Sequence, residues 1–201
     1  RPTLEALRQP METRQILVSR VNSRAVYPAR FQLIAAMNPC RCGYLDDPAR
    51  ACTRAPKCAA DYQSKISGPL FDRIDLHIDV AAVPFADLSA PRNGEITGTV
   101  AARVEDARKA QQDRLAQMGR AEIGSNAMAQ DQVLEEIAPL SAEARALLNR
   151  AAESLNLSAR GYHRLLRVAR TIADLDGAPP EIAQPHLAEA LSYRRAAYTA
   201  G

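Results

Sequence analysis

Residues Phe31 to Pro39, FQLIAAMNP, form a run of apolar and small residues that stops at an Asn-Pro pair. The length of the run and the lack of polar side chains after Gln32 predict a strand covered on both faces, as in a parallel α/β sheet. Proline cannot extend a ladder and biases the residue before it away from the helical region. The strand is therefore expected to end there, with the Asn38 amide projecting from its carboxyl end. That edge is where open α/β sheets hold ligands, although a turn residue ahead of proline is the plainer reading of Asn38.

A chain of 201 residues that is 47% hydrophobic can bury a sizeable core in one or two domains. Aromatics are only 4% and Trp is absent while Ala and Arg abound, so helix should dominate over sheet. No apolar run approaches a membrane span and no signal-peptide pattern opens the chain, which predicts a cytoplasmic protein with no membrane partner. The first residues, PTLEALRQPME, already look like the tail of an amphipathic helix, so the chain is expected to belong to something longer. Charge is unevenly placed: residues 1–65 hold eleven Lys/Arg against five Asp/Glu, or +6, and the remainder fifteen against eighteen, or −3. Such a bias is compatible with nucleic acid.

Leu4 and Leu7 followed by Pro10 read as the end of a helix that Pro10 helps to terminate. QILVSR has strand chemistry, and after Asn22-Ser23 the chain resumes with Ala25-Val26-Tyr27, which predicts a hairpin over residues 15–28. Arg14, Arg20, Arg24 and Arg30 cluster on and around it. Arg20 and Arg24 near the tip could touch phosphates, or the charges could simply keep an edge hairpin soluble.

Cys40, Cys42, Cys52 and Cys58 lie within nineteen residues. In a chain without secretory features this cluster suggests thiolate ligation of zinc more than disulfides, with free or partly buried thiols as the alternative. ISGPLFDRIDLHIDV then breaks at Ser67-Gly68-Pro69 and ends in an alternating strand with Ile74, Leu76, Ile78 and Val80 on one face. Arg73 precedes that strand, where a surface pair with Asp72 or Asp75 is its simplest role. His77 is expected to be exposed or structurally hydrogen-bonded. Pro84 to Gly98 reads as a joint.

Beyond it the pattern is helical: Thr99–Met118, Asp131–Ile137, Ser141–Leu155 with a serine cap, Ser158–Leu175 with Leu165, Ala169 and Ile172 as its core stripe, and Ala183–Tyr198 with Leu187, Ala190 and Leu191. These predict a small bundle. Arg160, Arg164 and Arg167 share one side of the fourth helix, which suits a bound anion or a solvated face balanced by its neighbours.

FQLIAAMNPC with a cysteine-bearing insert, ISGPLFDRIDLHIDV, LSARGYHRLLRVARTIADL and HLAEALSYR, in that order, resemble the carboxyl-terminal part of a magnesium-chelatase-like AAA+ ATPase of the ComM/YifB branch. The resemblance implies an α/β plus all-α fold: residues 1–97 as the back part of an AAA+ core, with a presensor-1 hairpin at 15–28 and a cysteine insert at 40–58, and residues 98–201 as a helical lid. It implies Asn38 as sensor 1, Arg73 as an arginine finger reaching the neighbouring subunit's nucleotide, and Arg160 as sensor 2. ATP and Mg²⁺ follow as cofactors of the full-length protein, with structural Zn²⁺ at the cysteines, and a homo-oligomeric ring of hexameric type acting on DNA. There are departures. No G-x-x-x-x-G-K-[ST] occurs, and Asp46-Asp47 and Glu135-Glu136 fall in a turn and a helix rather than after a strand, so the chain by itself is expected to hydrolyse no ATP. Family members usually begin the insert with C-P-C and carry a close C-x-C later. Here Arg41 interrupts the first pair and Arg54 stands where a fourth cysteine is expected, with Cys58 the nearest substitute.

For the ComM branch the resemblance implies branch migration during natural transformation. Metal insertion into a tetrapyrrole is the alternative from the wider family, although the cysteine insert and basic hairpin count against it. A non-catalytic, zinc-containing nucleic-acid module is the third possibility and would need neither Arg73 nor Arg160.

Overall fold

The computed structural model describes residues 2–45, 52–81, 83–89, 91 and 94–194. They divide between Ile74 and Asp75 into two compact units.

In the first unit, α1 (Pro2–Ala6) and α2 (Arg8–Thr13) follow one another, with the break at Leu7. Pro10 therefore does not end a helix as expected. It occupies the third position of α2, where a backbone N–H has no helical partner to lose, so proline costs little there. α2 stops at Arg14, which takes a left-handed φ of 58° and donates its N–H to the Pro10 carbonyl. Strands β1 (Gln15–Arg20) and β2 (Ser23–Pro28) then form the expected hairpin, in register from Gln15↔Pro28 to Arg20↔Ser23 around Val21-Asn22. Ala29 closes its base by donating to the Arg14 carbonyl at 2.8 Å.

Two expected strands are absent. Residues 31–38 and 74–80 form no ladder, and the hairpin is the sole sheet among the described residues. Ile34 is 85% exposed and Val80 87%, where the patterns predicted burial. The physical reason is that a central strand is stabilised by neighbours on both edges and layers on both faces, and the described residues supply neither. The fold is thus mixed and mainly helical with one small antiparallel sheet. Further along the unit come α3 (Lys57–Gln63) and α4 (Gly68–Phe71), the latter capped by Ser67, whose hydroxyl accepts from the Leu70 N–H.

In the second unit, His77 is half-buried and donates its backbone N–H to the Tyr193 carbonyl at 2.8 Å. A short α5 (Phe85–Leu88) lies in the joint. The long α6 (Thr97–Gln117), two single 3₁₀ turns at Ala121–Ile123 and Asn126–Met128, α7 (Asp131–Ile137), α8 (Ala142–Ser154), α9 (Ala159–Leu175) and α10 (Gln184–Ser192) follow. Ser141 and Ser158 cap α8 and α9 by accepting from the third N–H onward, as the sequence indicates. Leu115, Leu134, Ile137, Leu148, Leu165 and Leu187 meet in one core. A parallel bridge between Leu140 and Ile182 ties the loops ahead of α8 and α10 together. Gly161 permits a close approach: an added Cβ would lie 2.9 Å from the Arg194 guanidinium, which donates to the Gly161 carbonyl. The end of the last expected helix, beyond Arg194, lies outside the described residues.

Inside this core sits a charged cluster that the sequence patterns did not announce. The fully buried Arg170 donates Nε to Asp174 at 3.0 Å and its terminal nitrogens to the Pro179 and Pro180 carbonyls. Arg114 on α6 pairs with the same carboxylate, and Asn126 Nδ2 donates to it at 2.7 Å. Removing one partner of a buried ion pair strands the other charge, at a cost of about 3–5 kcal/mol. Asp174→Ala should therefore lower the thermal midpoint sharply, whereas Arg103→Ala, which loses only an exposed pair with Glu95, should leave it nearly unchanged in the same melts.

Candidate metal centre and arginine sites

The four cysteines converge. Their Sγ atoms all lie within 4.8 Å of one another, with Cys40 and Cys42 at 3.1 Å, and none is in a disulfide. Local structure explains the convergence. Pro39 ends the extended run, Cys40 turns back through a Gly43 N–H bond to its carbonyl, and Gly43 supports that turn with φ +82°. Cys52 opens a second turn, its carbonyl accepting from Ala55, and Cys58 lies in the first turn of α3 with its N–H on the Arg54 carbonyl. Gln63 on α3 donates to the Pro39 carbonyl at 3.0 Å, fixing the two halves together. Asp46-Asp47 lies outside the described residues.

A tetrahedral Zn²⁺ with Zn–S near 2.3 Å requires S···S edges of about 3.8 Å, within the spread found here, so the donor set fits. The thiols are electrostatically coupled. A hydrogen bond from the Cys42 thiol, with backbone N–H groups of Cys42, Gly43 and Tyr44, lowers Cys40 to about 7. Cys42 is helped by the Tyr44 N–H yet is raised to about 11 by its bonds to Cys40 and Cys52, burial and the Cys40 charge.

Arg73 follows α4 directly. Its Nη1 donates to the Pro69 carbonyl at 2.6 Å and its Nη2 pairs with Glu12, leaving the side chain 14% exposed. The expected partners Asp72 and Asp75 are not used, because the guanidinium folds back along α4 onto α2. Asp75 instead pairs with Arg164 at 3.2 Å. Glu5, Arg8, Gln9, Glu12, Thr13 and Arg73 line an open cleft of about 270 Å³. Glu5 is held below the usual carboxylate range by the Ser67 hydroxyl first and by Arg8 second.

Arg160 is exposed in the first turn of α9. The expected three-arginine face is not a single open surface: Arg164 is committed to Asp75, and Arg167 donates Nε to the Ala129 carbonyl at 2.8 Å. Each has found a nearer acceptor than an external anion. Asn38 is exposed just before Pro39. Arg20 and Arg24 are exposed at the hairpin tip. Since Arg20 opposes Ser23 and Arg24 opposes Ser19, the two arginines emerge on opposite faces of the ribbon. From Thr13 to Leu45 the chain carries five arginines and no acidic residue. Arg14 at the hairpin base is pushed below its ordinary range by burial and then by Arg30.

Residues 1–88 match the family described as magnesium chelatase, subunit ChlI, and residues 94–194 its C-terminal part. The chain belongs to this magnesium chelatase family. Within it, the chain is similar to the competence protein ComM of Haemophilus influenzae, 40% identical over 195 residues that cover 96% of this chain and 36% of that protein. It is likewise 40% identical to the uncharacterized protein YifB of Escherichia coli, over 96% of this chain and 37% of that protein. The uncharacterized protein Rv2897c of Mycobacterium tuberculosis is 39% identical over the same shares. These likenesses set the chain in the ComM/YifB branch of the magnesium-chelatase-like AAA+ proteins. It spans a little over a third of the length of these relatives. No helix among the described residues is long and apolar enough to cross a membrane.

Neither Glu12 as the partner of Arg73 nor the Arg170–Asp174 cluster was anticipated. The i, i+4 spacing of Arg170 and Asp174 was an available signal, whereas Glu12 and Arg73 are 61 residues apart.

The metal centre makes a direct prediction. Protein purified without added metal should contain about one zinc per chain by elemental analysis, and Cys58→Ser should lose it. Four freely titrating thiols in metal-free wild-type protein would exclude the site.

Proposed function

We propose that this chain serves as the carboxyl-terminal portion of an ATP-driven ring motor that acts on DNA, the role being branch migration or related strand remodelling. The observation that carries the proposal is the likeness to competence protein ComM across 96% of the chain. The basic ribbon with one arginine on each face supports the choice of DNA. In this proposal residues 1–97 supply the back of the core and residues 98–201 the lid.

ATP, when bound with Mg²⁺ in the full-length protein, would supply a γ-phosphoryl group whose transfer to water, with the β–γ anhydride bond broken and ADP as leaving group, releases free energy. The chain's own residues would act around it by positioning and charge. Asn38 would orient the attacking water through its side-chain amide. Arg160, in the first turn of a 17-residue helix, adds its charge to the positive end of the helix dipole, a suitable setting for a phosphate. Arg73 would act in trans, meeting charge on the transferring oxygens with a planar fork. The cysteine centre would brace the insert between the extended run and α3.

In the full-length protein, Arg73→Ala and Arg160→Ala should each reduce steady-state ATP hydrolysis by at least about 10²-fold, roughly 2.7 kcal/mol of transition-state stabilisation. Lys at either position should not rescue, because a point charge cannot reproduce the fork. Rings mixed from subunits lacking Arg73 and subunits lacking the phosphate-loop lysine should fall below the activity that dilution alone gives. Near-normal hydrolysis by Arg73→Ala would remove the finger.

The DNA assignment has a separate check. Arg20→Ala and Arg24→Ala should each weaken duplex binding uniformly across sequences and reduce the slope of log K against log salt by about 0.9. Unchanged slopes in both variants would remove the hairpin from the DNA contact.

A further inference from the structure

Glu12 has no place in the roles assigned above, yet among the described residues it is the ion-pair partner of Arg73. Two elements grip this guanidinium. Nη1 is held by the Pro69 carbonyl of α4, the helix just before it, and Nη2 by a carboxylate from the last turn of α2. Two anchors on different elements fix both the position and the plane of the fork, whereas the Pro69 bond alone would leave it free to turn. Arg73 is accordingly 14% exposed rather than a solvent-swept side chain. Each terminal nitrogen carries a second N–H, so donor capacity remains beside the two bonds in use.

The backbone that carries Glu12 is anchored on its C-terminal side. Thr13 beside it donates its hydroxyl to the Gln9 carbonyl, and Arg14 caps α2 through Pro10. Arg14 is also the residue whose carbonyl closes the hairpin base through Ala29. The carboxylate holding Arg73 thus stands three residues before β1.

We infer that Glu12 is a positioning residue for Arg73: it orients the guanidinium before reaction and ties it to the helix that carries the hairpin. The inference rests on the finger role proposed for Arg73. Ordering the fork during folding, rather than during each turnover, leaves less to be lost when it engages phosphate oxygens. The effect should fall on turnover, since Arg73 would serve a neighbour's site and not the binding of its own subunit's nucleotide.

The test uses full-length protein and ATP, with ring assembly checked by sedimentation and folding by thermal melts. Glu12→Gln keeps the shape and one acceptor, and should lower kcat several-fold with KM unchanged. Glu12→Ala should lower it by about 10–10²-fold, the scale on which a displacement of about 1 Å acts. The deciding measurement is epistasis: in an Arg73→Ala background, neither Glu12 substitution should lower kcat further. Multiplicative losses in the double variants, or wild-type kcat in Glu12→Ala, would overturn the inference. If Arg73→Ala alone retains near-normal hydrolysis, the finger reading fails first and Glu12 reverts to a structural ion pair. Should KM rather than kcat move in Glu12→Gln, the carboxylate acts on nucleotide binding and the inference is again wrong.

Discussion

One carboxylate organises the helical unit. Asp174, on α9, accepts from Arg170 one turn earlier, from Arg114 on α6 and from Asn126 in a 3₁₀ turn. Taking two guanidiniums and a carboxylate out of water is costly, and such a cluster is tolerable only if the remaining donors are satisfied. Here the Pro179 and Pro180 carbonyls complete Arg170, and Thr171 accepts from Asn126. The chain thereby fixes α6 against α9 and holds the loop after α9 with the same few atoms. Leu and Ala contacts around it supply non-directional burial. The charged cluster supplies the register, because only one relative placement of α6 and α9 satisfies every member.

That register matters for the proposed chemistry. Arg160 and Arg164 stand on the same helix as Arg170 and Asp174, so their placement within the unit is set by the buried cluster. Arg164 and Arg167 are occupied by Asp75 and the Ala129 carbonyl. Of the arginines that seemed to form an anion-binding face, Arg160 is the exposed one.

Legibility in the sequence followed locality. The serine caps of α8 and α9, the span of α7, the hairpin and the apolar stripe of α9 are determined by residues a few positions apart, and each could be read directly. The runs at Phe31–Pro39 and Ile74–Val80 could not be read so well, since strand patterning reports what a segment would bury against rather than whether the partner is present. Pro10 misled for a different reason: its effect depends on which turn of a helix it occupies, and the break at Leu7 placed it in the tolerant one. The partner of Arg73 required a fold in hand. Residue roles at Asn38, Arg73 and Arg160 came from family resemblance, and the pattern of charges alone would have left them on the surface.

The cysteine centre bears on how such sites are recognised in a sequence. Arg54 lies in the turn that precedes α3, before the cis Ala55–Pro56 peptide, and its carbonyl accepts from the Cys58 N–H in the first turn of that helix. A search for this centre written as fixed intervals between cysteines would pass over the chain. Written as a thiol in the first turn of a helix opposite a C-x-C turn, it would find it, because a tetrahedral ion asks for four sulfurs within reach of one another rather than for a fixed spacing along the chain.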